Sequence, residues 1–492
     1  MKLRKFMLLL ILPLLLLTGC KGNDLEKISR DLNTYSMNIT YNDDHSLDVT
    51  QEVQYTNRTG DSLESIKFHL YPRNFRKDSK CSVVSSLNYD KCYYNGVSFG
   101  DLVVSEVSVN EENTEIVLGG NDQDILEVPV NNLGNNQSVT IDITYHVDIP
   151  NISHRFGYGE DTINLGNFYP IACVYEDGDF RIDSYHYNGD PFYSEVANYN
   201  VSITAPSNLV LASSGNVTST NTSEDSTTYS INASAIRDFA FVLSDKFNVV
   251  SDTVGNTRVS YYYYKNQYPN ESLKASMDAL STFNRIFGEY PYDTLNVVET
   301  NFVHGGMEYP NMVMISDDVD VQSDYVNVIV HEIAHQWWYG LVGNNEYDYG
   351  WLDEGLTEYS TLLFYEENPS YNINTSELIK NTTNSFVTFV DVYTKVFGSA
   401  DTTMNRALNE YNNESEYVYI AYVKGMLLFN SIDEILGRDK FLTCLQHYFD
   451  THKFKVATPS SMIESFEQSC NSELNAVFES WINGKVKIIA VA

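Results

Sequence analysis

Positive charge is what this sequence most lacks. Its 31 lysines and arginines face 66 aspartates and glutamates, a net charge of −35. Without a basic stripe, a chain this acidic is a poor partner for nucleic acid, and anionic lipid would repel it. Long apolar runs are also missing. The run Phe6 to Leu17 has 12 residues, short of the ~20 that a membrane-spanning helix needs. Cysteine is sparse: six residues, none at zinc-knuckle spacing. There is no internal repeat and no long linker. Histidine is scarce as well, ten residues in 492. Against this, 43% apolar and 20% charged residues describe a globular chain, long enough for two or three domains.

The first residues supply a cause for membrane attachment that charge does not. A cationic "MKLRK" precedes the apolar run, which ends in Leu17-Thr18-Gly19-Cys20. This is a signal-peptide pattern, and its last four residues resemble a bacterial lipoprotein box. The expectation is a signal peptide over 1–19, a lipid on Cys20 and a polar tether over 20–32. The protein would then sit at the bacterial cell surface, held through its acyl chains to the outer face of the cytoplasmic membrane. A plain secretory signal or an uncleaved anchor is the alternative. Five cysteines remain; Cys81–Cys92 and Cys444–Cys470 are possible disulfides, with buried free thiols at least as well supported.

From 33 to about 250, segments such as "SLDVTQEVQY" and "SVTIDITYHVDI" alternate apolar with polar and are separated by turn-forming clusters. This predicts an antiparallel all-β domain. Near 268 the pattern changes: "ESLKASMDALSTFNRIFGEY" spaces apolar residues three and four apart, as a one-sided helix does. Helices dominate from 251 to 487. The fold class is therefore multidomain α+β, an N-terminal β domain followed by a mainly α-helical domain.

Two of the scarce histidines lie four apart in "HEIAHQWWYGLVGNNEYDYGWLDEG", residues 331–355. On a helix, His331 and His335 share a face and can aim both imidazoles at one point. Ser323 or Asp324 could cap such a helix and Gly340 could stop it. Two histidines and a carboxylate make a catalytic zinc set with one position left for water. Glu354, with 18 residues between it and His335, is the third-ligand candidate. Glu332 is left beside the metal, where a carboxylate can take a proton and pass it on. A five-residue motif alone remains open to coincidence, and two satisfied core histidines are the bland reading.

HExxH, 18 residues and Glu within "WLDEG" resemble the aminopeptidase N family of zinc peptidases. "GGMEYP" (Gly305 to Pro310) looks like that family's Gly-Ala-Met-Glu-Asn motif, and "YVKG" (Tyr422 to Gly425) like its Tyr-x-Lys-Gly. "RDFAFVLSDKF" and the strands before it resemble its N-terminal β domain. The resemblance implies a thermolysin-like catalytic domain with one Zn2+ per chain. It makes His331, His335 and Glu354 the ligands and Glu332 the general base. Tyr422 would donate to the oxyanion. Gly305, Gly306, Met307 and Glu308 would line the substrate, with Glu308 holding its free α-ammonium. Glu358, one turn beyond Glu354, could orient a ligand imidazole, or be a surface carboxylate; Tyr417 is expected to pack.

Departures matter too. Tyr309 replaces the family's Asn, Gly306 its Ala and Asp353 a frequent Asn. Only 11 residues follow Trp481, so the family's further C-terminal domains are not expected and the cleft should be more open. The activity implied is a monomeric aminopeptidase acting on peptides with a free N-terminus. An endopeptidase with an open cleft, or a non-catalytic peptide-binding lipoprotein, are the other readings.

Overall fold

Alternation governs the first half of the chain. The computed structural model describes residues 22–491, so the expected signal peptide and Cys20 lie outside the described residues. Gly22–Ser29, in the segment expected as a tether, is helical, and Asn198 donates to the carbonyl of Ser29. The strands Thr34–Asn42, Ser46–Thr56 and Ser138–Asp148 bury every second residue, among them Met37, Ile39, Val49, Val53, Ile141 and Val147. That period places one apolar face on the core and a polar face outside. These strands form the middle of an eight-stranded sheet. Two four-stranded sheets and the two-stranded pair Tyr175–Glu176 and Asp179–Phe180 complete the β region. Pairing is antiparallel with one exception in the large sheet: Thr34–Asn42 runs parallel to Ala197–Pro206.

The second half is built on a five-stranded sheet and helices. Its strands Thr257–Tyr263, Thr294–Thr300 and Met312–Ser316 are mutually parallel. Thr294–Thr300 and Met312–Ser316 are covered on both faces, which is why they read as continuous apolar runs. Gly306–Met307 closes one edge. The expected boundary at 250 falls within the strand Asn248–Val254, which pairs with Thr257–Tyr263 and so belongs to this second sheet. The one-sided helix is observed at Pro269–Ile286, with Leu273, Ala279, Leu280 and Phe283 buried.

The histidine helix spans Gln322–Ala334, with His331 in its last turn and His335 at its C-cap. Neither Ser323 nor Asp324 caps it; Val321 takes the cap position without a side-chain bond. It ends well before Gly340, and Trp337 and Trp338 in the turns that follow are buried in the core. Their indoles donate to Gly288 O and Ser360 Oγ, both within 2.9 Å. All five described cysteines are free thiols, four of them buried.

Two further helices meet at a glycine pair. Glu354–Glu367 crosses Lys424–Leu436 where a Cβ on Gly425 would lie 2.6 Å from the Cα of Gly355, and the reverse holds equally. Backbone touches backbone there, so neither helix can yield to a methyl group. Gly425→Ala should cost about 1–3 kcal/mol through overpacking. Chemical denaturation checks this: the midpoint of the variant should fall, whereas an unchanged midpoint would show that the crossing is slack.

Candidate active site

Three donor atoms converge where the histidine helix meets Glu354. The Nε2 atoms of His331 and His335 are 3.1 Å apart, and Glu354 Oε2 lies 3.4 and 3.3 Å from them. Tetrahedral zinc with ligands at about 2.0–2.2 Å requires donor separations of about 3.3–3.5 Å. The triangle is therefore already the right size. Glu354 Oε2 is buried and has no hydrogen-bond donor, as expected of an oxygen reserved for a cation. The donor set fits one zinc ion, and the cluster of His331, His335 and Glu354 is the one that would hold it.

The other face of each imidazole is occupied. His335 Nδ1 lies 2.9 Å from Trp338 O and 3.2 Å from Thr357 Oγ1; His331 Nδ1 lies 3.3 Å from Glu358 Oε1. Protonated at Nδ1, each ring turns an unprotonated Nε2 toward the metal position. Glu358 thus takes the orienting place, not that of a free surface carboxylate. Burial would raise Glu354, but the two histidines outweigh it and hold this carboxyl well below its usual range. At Glu332 burial wins over the same histidines, and the carboxyl is pushed up toward neutrality.

Glu332 follows His331 and faces the short strand Gly306–Met307. A Cβ on Gly306 would lie 2.2 Å from Glu332 Oε1. The missing side chain there makes room for the carboxylate itself, a tighter use of glycine than contact with a peptide. Gly305 has φ +85°, a conformation glycine adopts freely. Met307 is buried in the core and is not part of the cavity wall. A cavity of about 170 Å³ joins Gly305, Gly306, Glu308, Glu332 and the three ligand candidates to Tyr422.

Glu308 is 3% exposed, and its Oε1 has no partner among the described residues. Burial raises this carboxyl well above its usual range. Its backbone is fixed from the turn that follows the histidine helix: Gln336 Nε2 donates to the carbonyls of Glu308 and Tyr309 at 3.3 and 3.2 Å, and Gln336 Oε1 accepts from Asn311 N. Asp190, from the β region, brings a carboxylate oxygen within 4.8 Å of Glu308 and Glu354, and is paired with buried Arg155. Neither Gln336 nor Asp190 belongs to a metal or catalytic motif in the sequence. Gln336 could have been suspected from its place beside His335; nothing local marks Asp190.

Tyr422 lies in a single π-helical turn, Val418–Val423, a wide turn often found at functional positions. Its hydroxyl donates to Glu354 Oε1 at 2.5 Å, and its ring lies parallel to that of His331. Tyr417 packs behind it, wedged against Gly189 and Gly350. Lys424 directly follows the π-helical turn. Its Nζ is buried and donates to Thr402 O and Trp481 O at 2.5 and 2.6 Å, tying two distant segments to the tyrosine turn. Burial pushes the Lys424 amine down to about 7.

Residues 271–481 match the model of the peptidase family M1 domain. The chain is 27% identical over 205 residues to leucine aminopeptidase 2-1 of Meyerozyma guilliermondii, covering 39% of this chain and 32% of that protein. With endoplasmic reticulum aminopeptidase 2 of Bos taurus it shares 24% over 245 residues, 47% of this chain and 25% of the other. It thus spans a third or less of the length of these relatives. Over a wider extent, the fold is like that of an M1 zinc metallopeptidase from Deinococcus radiodurans. There the TM-score is 0.65 at 15% identity, covering 94% of this chain and 95% of that one. A mutant of that enzyme bound to a Tyr-Ser-Ala substrate aligns with a TM-score of 0.64 at 15% identity, over 94% and 95% of the two chains.

Two measurements test this geometry. Glu358→Gln should weaken zinc binding by about tenfold or more, read by competition with a chelator; parent affinity would remove Glu358 from the orienting set. For Lys424, the folded pKa lies below the unfolded value. Between about pH 7 and 10 the unfolded chain holds a proton that the folded chain has lost. Raising pH across that window should stabilise the parent relative to Lys424→Met, as measured by urea denaturation. A flat difference would mean that the amine stays charged.

Proposed function

We propose that the chain, whose fold is like that of an M1 zinc metallopeptidase, is a zinc-dependent aminopeptidase removing N-terminal residues from peptides. The observation that carries this is Glu308. A buried carboxylate without a donor is costly unless a cation meets it, and the α-ammonium of a peptide is such a cation. Its position beside the metal cluster would set the first peptide bond, and no later one, over the zinc.

When bound, zinc supplies the Lewis acidity that acidifies a water and polarises the scissile carbonyl. The chain's own residues do the rest. Glu332, held near neutrality by burial, takes a proton and can return it to the leaving amine. Tyr422, its hydroxyl at the edge of the cluster, can turn that donor toward the charge developing on the carbonyl oxygen. Glu308 and the glycine strand hold the N-terminus, and Gly306 keeps the space that Glu332 occupies.

The same reading places the protein at the outer face of the bacterial cytoplasmic membrane, anchored through Cys20 and working as a monomer. The support is the cationic start, the 12-residue apolar run and the Leu-Thr-Gly-Cys box. Among the described residues no helix is long and apolar enough to cross a membrane. Cys20→Ala should abolish incorporation of labelled fatty acid; unchanged labelling would remove the anchor.

The activity is tested with the full-length chain, loaded with zinc and supplied with a peptide library in free and N-acetylated forms. Stepwise loss of single N-terminal residues from free peptides alone, abolished by Glu332→Ala, is expected. Glu308→Gln should lower kcat/KM for free peptides by about a hundredfold or more, the scale of breaking a buried charge pair. Internal cuts that ignore acetylation would instead make the protein an endopeptidase. No cleavage by a folded, zinc-loaded chain would favour a peptide-binding lipoprotein.

A further inference from the structure

We propose that Arg237 and Asp238, adjacent residues at the end of a β-domain strand, are positioning residues that separately set the two halves of the catalytic site. Arg237 fixes the turn that aims His335, and Asp238 fixes the loop that carries Glu308. The second arm rests on the amine-binding reading above; the first rests only on the zinc-sized donor set.

Arg237 follows the strand Ser226–Ile236 and is 2% exposed. Its guanidinium donates to three backbone carbonyls: Ser194 O at 2.6 Å, Tyr339 O at 2.7 Å and Lys455 O at 2.9 Å. One carbonyl belongs to the β region and two to the helical region. The guanidinium lies on Gly343, where a Cβ would come within 2.1 Å of it, so the approach is shaped for this group. Tyr339 has φ +125°, a strained conformation for a residue with a Cβ, costing about 1–3 kcal/mol. Something must hold it, and Arg237 does so from the carbonyl side while Tyr339 N donates to Val342 O. The peptide just before Tyr339 carries Trp338 O, the acceptor for His335 Nδ1. The chain of contacts therefore runs from Arg237 through the strained turn to the imidazole.

Asp238 turns the other way. Its carboxylate accepts from Tyr169 Oη at 2.8 Å, Asn167 Nδ2 at 2.6 Å and Phe239 N at 2.7 Å. Because Asn167 gives its NH2 to a carboxylate, its Oδ1 must face away, and it accepts from Tyr309 Oη at 2.6 Å. Tyr309 is the neighbour of Glu308. Gly166 makes the approach possible, since a Cβ there would meet the Tyr309 hydroxyl. The tyrosine that stands in place of the family's asparagine is thus the anchor by which the β domain grips the Glu308 loop.

The experiment compares the full-length parent with Arg237→Met, Arg237→Lys, Asp238→Asn and Tyr309→Phe. Zinc affinity of each apoprotein is measured by competition with a chromophoric chelator, its fold by thermal melting, and KM with a free-amine peptide after loading. Arg237→Met should raise the zinc Kd about tenfold or more, with partial rescue by Arg237→Lys. Asp238→Asn and Tyr309→Phe should keep zinc Kd within about twofold while raising KM about tenfold, with a smaller effect on kcat. Parent zinc affinity in folded Arg237→Met overturns the first arm, and unchanged KM in the other two overturns the second. Equal loss of both readouts in every variant would show a merely structural role and overturn the whole. If Arg237→Met does not fold, the zinc Kd of Arg237→Lys decides, unchanged affinity overturning the arm. A parent indifferent to N-acetylation would refute the amine-binding reading, and the zinc readout would still judge Arg237.

Discussion

Moving a carboxylate from water into a protein interior costs several kcal/mol, and this chain does so repeatedly in one place. Asp190, Glu308, Glu332, Asp353 and Glu354 are all buried around two histidines, with Arg155 paired to Asp190 alone. Their mutual repulsion is visible in the upward displacement of Glu308 and Asp353, burial acting first and neighbouring carboxylates adding to it. Such a centre is completed by cations. If the proposed function holds, a dication in the donor triangle and an ammonium at Glu308 would be parts of the charge balance of the folded protein.

Rigidity comes from contacts between distant segments around the site, one of which crosses from the β region. Gln336 joins the turn after the histidine helix to the Glu308 loop, Arg237 joins the β region to that same turn, and the Gly355–Gly425 crossing brings Tyr422 onto Glu354. Each uses backbone or a small residue at the contact, so little side-chain freedom is left to blur the geometry. The β region therefore acts as part of the site and not as a passive companion.

What was legible in the sequence is what depends on short-range spacing. A four-residue interval on one helix placed His331 and His335 on one face, and the fixed interval to Glu354 supplied the third donor. Glu308 and Tyr422 were legible only through motif resemblance, because a lone glutamate or one tyrosine among 37 carries no periodic signal. Asp190, Arg237 and Asp238 were invisible for a plain reason: their partners lie tens to hundreds of residues away. The histidine helix was expected to run to Gly340. Local turn chemistry suggested that end, but the burial of Trp337 and Trp338 is a tertiary effect that overrides it. The parallel strand pair was missed likewise, since alternation fixes a strand's faces and says nothing of its neighbours.

That parallel pair has a consequence in time. Thr34–Asn42 lies in the middle of the large sheet, between Ser46–Thr56 and Ala197–Pro206, with Tyr35 opposite Tyr199 and Ile39 opposite Ile203. A chain made from its N-terminus produces this strand first, yet one whole edge of it stays unpaired until some 160 further residues have emerged. At about 5–20 residues per second that interval lasts roughly 10–30 seconds. During it, an alternating strand with an apolar face and free backbone donors is exposed to other nascent chains, a hazard that a β-hairpin order would have avoided. Biogenesis of this protein should therefore depend on whatever shields that first strand, long before any residue of the catalytic centre has been synthesised.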